Sequence, residues 1–169
     1  MMRATRVLAA ADCRDREVVD TVILDYARRS SAQRIAVTGV KGGAFEIELH
    51  QPARLRTDDL LLLESGGLVE VVAAPEPLIE ARAADVAALS RLAWHLGDRH
   101  VPIQMLPNRI RARRDSAVEE LLKALGAKLV LLDAPFEPEG GAYVSSHRDA
   151  HHGHAHDHHD HSHDHHHDR

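Results

Sequence analysis

The last 23 residues, 147–169, limit what this chain can fold into. They hold twelve of its fifteen histidines and no Val, Leu, Ile, Phe, Tyr or Trp. A segment without such side chains buries too little apolar surface to offset the entropy lost on ordering. We therefore predict that this tail is disordered in the free chain and that any fold is confined to residues 1–146.

The composition of the tail predicts metal binding. Neutral imidazole is a good ligand for nickel, zinc and copper ions, and the five interspersed aspartates add oxygen ligands. An expression tag and a biased linker are the alternatives, but tags are usually unbroken histidine runs, whereas Asp, Gly, Ala and Ser interrupt this tract. The candidate metal ligands here are His147, His151, His152, His154, His156, His158 and His159.

Charge and hydropathy exclude several other classes of protein. The formal charge is −5, of which the tail supplies −3, so neither part predicts a nucleic-acid partner. No apolar run approaches the length of a membrane span, and the first residues lack the apolar core of a signal peptide. Cys13 is the single cysteine, which excludes an intrachain disulfide. We expect a cytoplasmic protein that binds neither membranes nor nucleic acid.

Residues 1–74 read as a small all-β domain without a helix. Short β-branched and apolar runs are separated by two glycine turns, at 41–43 and at 65–67. Between the turns, Phe45, Ile47 and Leu49 alternate with glutamates, which is typical of a half-buried strand. The domain's one histidine, His50, is expected at the exposed end of that strand.

A second domain is predicted over residues 75–146, after the break expected at Pro75-Glu76-Pro77. A strand at 78–82 precedes a helix capped by Asp85 and closed by Gly97, with Val86 on its apolar face. Strands at 101–106 and 109–113 follow. A helix with a Ser116–Glu119 capping box and a Glu119–Lys123 pair on its outer face comes next, and then a strand at 128–132. This β-α-β-β-α-β order predicts a ferredoxin-like domain, and the whole chain is then α+β.

Two histidines of this domain, His95 and His100, are candidate metal ligands. His95 is expected near the C-terminus of a helix, where a cation is favourable without any metal. His100 follows the helix, either as an exposed loop residue or as a ligand. If the domain dimerises through this edge, two copies of His100 can clamp one ion across the two-fold axis, with tail imidazoles completing the coordination.

These residues also carry a resemblance. The run 95–102 (HLGDRHVP), Gln104, Pro107 and the run 135–143 (PFEPEGGAY) before a histidine-rich end resemble the urease accessory nickel metallochaperone family, UreE, over essentially the whole chain. The resemblance implies an N-terminal β domain that binds urease or another partner, a ferredoxin-like domain, a homodimer, and an interfacial nickel ligand at His100. It also implies delivery of Ni²⁺ to the urease apoprotein assembled with accessory proteins, one of them a GTPase.

The chain departs from the family at several positions. Asp98 stands where members often have Asn, a mild change on a turn. Some members place further metal-binding histidines where this chain has Arg113, Arg114 and Ser116, so a peripheral metal site in the body is not expected. The two arginines either dock an acidic partner or lie on a solvated strand face.

The leading hypothesis is a nickel carrier that is not an enzyme, with Zn²⁺ and Cu²⁺ as competing ions. The alternative is a storage or detoxification buffer without a delivery partner, in which only the tail matters. A hydrolase is disfavoured because the chain has no H-E-x-x-H motif, no nucleophile elbow and no histidine triad in the body. A DNA-binding metal sensor is disfavoured because no helix presents a basic face.

Overall fold

The computed structural model describes residues 2–8 and 17–140. Within these residues the chain forms ten strands, namely β1 Met2–Leu8, β2 Val18–Leu24, β3 Ala32–Thr38, β4 Ala44–Ala53, β5 Leu60–Leu63, β6 Leu68–Ala73, β7 Pro75–Arg82, β8 Ile103–Leu106, β9 Arg109–Arg113 and β10 Lys128–Pro135. The helices are α1 Tyr26–Arg29, α2 Val86–Asp98 and α3 Ser116–Ala124. This mixture of many strands and few helices confirms the α+β class. Cys13 and the seven candidate tail ligands lie outside the described residues.

The first sheet has six strands in the order β2-β6-β5-β1-β4-β3. The pairs β1–β4 and β2–β6 are parallel, and the other neighbours are antiparallel. Both predicted glycine turns are confirmed, since they join β3 to β4 and β5 to β6. Gly42 and Gly66 adopt φ angles of +88° and +92° there, a region that favours glycine.

Strand β4 shows the predicted alternation. Phe45, Ile47 and Leu49 are buried in the core beneath this sheet, and the glutamates between them are partly exposed. His50 is exposed as expected, but it lies inside β4 rather than at its end, because the strand continues to Ala53.

The expectation of no helix before residue 75 is wrong in one place. Helix α1 is a single turn, capped by the Asp25 carboxylate, which accepts a 2.8 Å hydrogen bond from the Arg28 N–H. Four residues are too few for an apolar periodicity to appear, so the sequence pattern cannot indicate such a helix.

The second sheet has the order β10-β7-β9-β8, and all its pairs are antiparallel. Helices α2 and α3 pack on one face, where Ile79 and Ile110 meet Leu92, Leu96 and Leu122 in a second core. From Pro75 to Pro135 the element order is β-α-β-β-α-β. In the part of the chain that the structure describes, neither these helices nor α1 has the length and apolarity to cross a membrane.

The predicted break at Pro75-Glu76-Pro77 is wrong as a chain break, because these residues begin β7. They pair with β10 from Pro75 opposite Pro135 to Pro77 opposite Asp133, whereas pairing with β9 begins only at Leu78. At its start β7 therefore has a strand neighbour on one side only. Proline is tolerated at such an edge because its missing N–H is not needed for a second ladder.

The helix limits also differ in detail from the prediction. Asp85 caps α2 as expected, at 2.7 Å from the Ala88 N–H, but the helix runs past Gly97 to Asp98, and Val86 is 78% exposed rather than inward-facing. A residue at the start of a helix has few neighbours to pack against, and this explains the exposure of Val86.

Helix α3 is capped one residue earlier than predicted. The Asp115 carboxylate accepts from the N–H groups of Ala117 and Val118 at 2.9 and 3.0 Å, so Asp115 takes the role expected of Ser116. Carboxylate and hydroxyl caps are similarly favoured, and neighbouring candidates are hard to rank from sequence. The predicted Glu119–Lys123 ion pair is confirmed at 2.7 Å.

Candidate metal-binding site

The candidate site begins where α2 ends. The Val101 N–H donates to the Leu96 carbonyl at 3.0 Å, and the His100 N–H donates to the Gly97 carbonyl at 2.9 Å. These two bonds form a Schellman motif, in which Arg99 is the C-cap and His100 is the first residue beyond it. Val101 and Leu96 both belong to the second core, which supplies the apolar contact that accompanies this motif.

His100 occupies the left-handed position of this motif, with φ +56°. Glycine is the usual residue there, because a Cβ atom costs about 1–2 kcal/mol in that conformation. The sequence predicts Gly97 as the residue that ends the helix, but Gly97 lies in its last turn. A histidine kept where glycine is preferred is a strained residue, and strain of this kind is found at functional sites.

The surroundings of His100 are open and partly apolar. His100 is exposed, and Trp94 on the last turns of α2 is 66% exposed. The ring of Trp94 meets that of His95 edge-to-face, with centroids 4.9 Å apart. His95 is half-buried, and its carbonyl accepts a 3.0 Å hydrogen bond from Arg99 Nη1. The half-buried His95 imidazole therefore lies beside an exposed indole, near the end of the helix that carries His100.

The body of the chain does not bring its histidines together into a complete site. No cluster of three or more His, Cys, Asp or Glu side chains suited to a metal ion occurs within residues 2–8 and 17–140. His50 lies on β4 of the first sheet, whereas His95 and His100 lie at the end of α2, which packs on the second sheet. A single exposed imidazole holds a transition metal only with ligands from elsewhere, whether from a second copy or from the tail.

A five-residue strap, 136–140, links the second sheet to the start of the tail. Its Glu139 N–H donates to the Ile103 carbonyl at 2.7 Å, and a Glu139 carboxylate oxygen accepts from the Met105 N–H at 3.3 Å. The Glu137 N–H lies 3.4 Å from the Gln104 side-chain oxygen. The strap thus lies along β8, the edge strand that follows His100 by three residues.

The strap is also bound to the first sheet, through Arg29. The Arg29 side chain is 1% exposed, and its guanidinium donates to the carbonyls of Leu24, Leu55 and Phe136 and, at 2.8 Å, to the Glu137 carboxylate. The same Glu137 oxygen accepts from the N–H and hydroxyl groups of Thr57 at 3.0 and 3.1 Å. This cluster holds Phe136 and Glu137, at the start of the strap, in place.

Phe136 completes the same junction and was not predicted from the sequence. It is fully buried, and its ring meets that of Tyr26 edge-to-face at 5.4 Å. In the sequence the run 135–143 contributes to the family resemblance, but nothing in it assigns Phe136 to a core. The one available signal was a phenylalanine between two prolines in a chain with few aromatic residues.

A family model described as the UreE urease accessory protein, C-terminal domain, matches residues 76–168. The chain belongs to the UreE family of urease accessory proteins. The match takes in the α2 turn, the strap and the histidine-rich tail. The resemblance predicted from the sequence is therefore confirmed. Because UreE proteins are accessory proteins, the prediction that the chain is not an enzyme is confirmed as well.

Individual UreE relatives extend the similarity to most of the chain. Proteins of Bradyrhizobium sp. (strain BTAi1), Beijerinckia indica and Chelativorans sp. (strain BNC1), each named urease accessory protein UreE, are 50%, 42% and 42% identical to it. The alignments cover 91%, 92% and 92% of this chain. They cover 74%, 88% and 98% of the respective relatives.

Proposed function

We propose that this chain carries Ni²⁺ to the urease apoprotein while the urease metallocentre is assembled. The observation that carries the proposal is the exposed His100 held at a left-handed helix terminus, in a chain of the UreE family. In this proposal the Schellman bonds fix the backbone of His100, so that its imidazole is presented to solvent without a large loss of entropy on binding.

The transferable ion is held between two copies of the chain. One imidazole does not make a site, and the body offers no three-ligand cluster within its described residues. A two-fold axis near the α2 turn would bring two His100 side chains to one ion. Val86 and Trp94, which are 78% and 66% exposed and two helical turns apart, supply apolar surface for this homodimer contact.

The tail acts as a reservoir of nickel for that site, with His95 as a further ligand at the helix end. The strap binds β8, the strand that follows His100, and the tail begins seven residues after the end of the strap in the sequence. His147, the first tail histidine, is seven residues beyond Gly140 and therefore within about 25 Å of it. A tether of this length keeps ions collected by His151, His152, His154, His156, His158 and His159 at a high local concentration.

The proposal assigns a role to each part of the chain. Residues 1–74 form a β domain that binds urease or another partner, and residues 75–146 form a ferredoxin-like dimerisation domain, supported by the strand order β10-β7-β9-β8 with both helices on one face. Residues 147–169 form the nickel reservoir. Imidazole ligands also bind Zn²⁺ and Cu²⁺, so docking to the urease apoprotein and its accessory proteins, including a GTPase, supplies the selectivity. The site of action is the cytoplasm.

Calorimetric titration with nickel tests this function. A variant that ends at Tyr143 should bind about one ion per dimer, and the His100→Ala substitution should abolish that binding. Analytical ultracentrifugation under nickel loading should show a dimer. If the truncated variant binds no nickel, the tail is the whole metal site and the storage-buffer alternative replaces the carrier.

A second assay separates delivery from storage. Full-length chain loaded with nickel should activate urease apoprotein in the presence of its accessory proteins, and the His100→Ala chain should not, although its tail still binds the metal. Equal activation by the two chains would contradict a carrier role for His100.

A further inference from the structure

On the side opposite α2 and α3, the second sheet is rich in cations and only partly open to solvent, since Leu78 and Glu80 on that side are buried. The strand register places Arg82 beside Arg109 and Lys128, and places Glu80 beside Arg111. Cross-strand neighbours project from the same side of a sheet. We call this group of four cations around Glu80 the arginine face.

Glu80 is the one anion within this group and is shared by three guanidiniums. Its side chain is 5% exposed. One carboxylate oxygen accepts from Arg82 Nη2 at 2.8 Å, and the other lies 3.0 Å from Arg111 Nε and 3.2 Å from Arg109 Nε. Burial raises the pKa of Glu80, but the hydrogen bonds from Arg82 and Arg111 outweigh it and lower the pKa overall. The carboxylate is therefore ionised at neutral pH, and its acceptor capacity is already committed.

The guanidiniums have more donors than this carboxylate can satisfy. Arg109 Nε is buried and has no hydrogen-bond partner in the described structure, because its approach to Glu80 does not have hydrogen-bond geometry. Each guanidinium carries five N–H donors, whereas a carboxylate offers about four acceptor positions. Nε of Arg109 is closed to solvent, but the Arg82 and Arg109 side chains as a whole remain 53% and 32% exposed, so further acceptors can reach their outer N–H groups.

We propose that the arginine face docks an acidic segment of a partner protein, through carboxylates that take up the donors left free by Glu80. Arginine guanidinium binds carboxylate in a bidentate, planar geometry, which lysine cannot reproduce. Lys128, exposed on the edge strand β10, adds long-range attraction at the rim. This surface lies on the side of the sheet away from the helices and makes no use of His100.

The pattern of charge favours an acidic peptide over nucleic acid. The chain as a whole has a net charge of −5, which repels a long polyanion. A short acidic segment interacts mainly with the nearby cations, because salt screens the more distant charges. The strand neighbours of the arginine face are aliphatic: Val130 lies opposite Glu80 and Leu106 lies opposite Arg109. Single-stranded nucleic acid is usually bound by exposed aromatic side chains, on which its bases stack.

Fluorescence anisotropy with a labelled glutamate–glycine peptide tests the proposal on the full-length chain. The peptide should bind at low salt and weaken as salt is added. The double variant Arg109→Gln/Arg111→Gln should lose about tenfold or more in affinity. The single variant Lys128→Glu, at an exposed edge where folding is not at risk, should weaken binding as well. The matched control Arg91→Gln removes one exposed positive charge from α2, on the other side of the sheet, and should leave affinity within about twofold.

The proposal is overturned if the peptide binds the unmodified chain and all the variants with equal affinity, or binds none of them. Two other occupants of the arginine face would give different results. Tighter peptide binding when the tail aspartates 149, 157, 160, 164 and 168 are replaced by asparagine would instead assign the face to the chain's own tail. Duplex DNA that competes with the same dependence on Arg109 and Arg111 would assign it to nucleic acid. Nickel titration of the arginine variants should match the unmodified chain, so failure here is distinguishable from failure of the carrier function.

Discussion

Replacing Glu137 with alanine tests the junction between the strap and the first sheet. The buried Arg29 guanidinium would keep three neutral carbonyl acceptors and lose its one anionic partner. Removing one partner of a buried ion pair costs about 3–5 kcal/mol because the remaining charge is uncompensated. The Glu137 side chain is 29% exposed, so water replaces part of the interaction. We expect a loss of about 2–3 kcal/mol in the free energy of unfolding.

The assay is urea unfolding of the full-length chain followed by circular dichroism, at one protein concentration because association is linked to stability. Glu137→Gln keeps the shape and one acceptor oxygen, so it should lose only about 1 kcal/mol. Glu64→Ala is the matched control, since Glu64 is 55% exposed and lies 3.6 Å from Arg3, and it should cost at most about 1 kcal/mol. If Glu137→Ala is no more destabilising than Glu64→Ala, the Arg29–Glu137 ion pair does not stabilise the junction.

The turn at His100 and the loop around Asp20 can be tested by substitution in the same urea assay. His100→Gly should raise the free energy of unfolding by about 1 kcal/mol in urea, because it relieves the left-handed strain, while abolishing nickel binding by the body; a stability loss would contradict the strain. Gly39→Ala should cost about 2–3 kcal/mol, because its Cβ would clash with the Asp20 carboxylate. Gly97→Ala should be neutral or stabilising in the same assay, because its Cβ would meet no side chain or other segment of the described chain. The Lys41 backbone N–H is the main cause of the lowered pKa of Asp20, so stability from this carboxylate is present above its unfolded pKa and is lost as pH falls through the folded one. The urea midpoint of the unmodified chain should therefore be lower at about pH 3 than at about pH 6, and Asp20→Asn should make this difference smaller. If the difference is the same in both chains, the Asp20 carboxylate does not contribute to the pH dependence of stability.

Local sequence patterns determined much of the secondary structure. The alternation at 45–49, the two glycine turns, the Asp85 cap and the Glu119–Lys123 pair all match the structure, because each depends on residues within a few positions of one another. The family resemblance rested on short contiguous runs around His100 and the strap. The family could therefore be predicted from the sequence alone.

Tertiary structure alone decided the features that depend on long-range contacts. Arg29 and Glu137 are 108 positions apart, and no periodicity connects them. The left-handed conformation of His100 arises because Val101 packs onto the core and draws the chain back across the end of α2, so the residue type does not reveal it. Pro75 can begin a strand because β10 pairs with it on one side and no strand pairs with it on the other.

The arginine face likewise exists only through strand register, which brings cations from β7, β9 and β10 around one buried carboxylate. Such features depend on which distant segments meet, and that is settled by packing of the whole chain rather than by local preference.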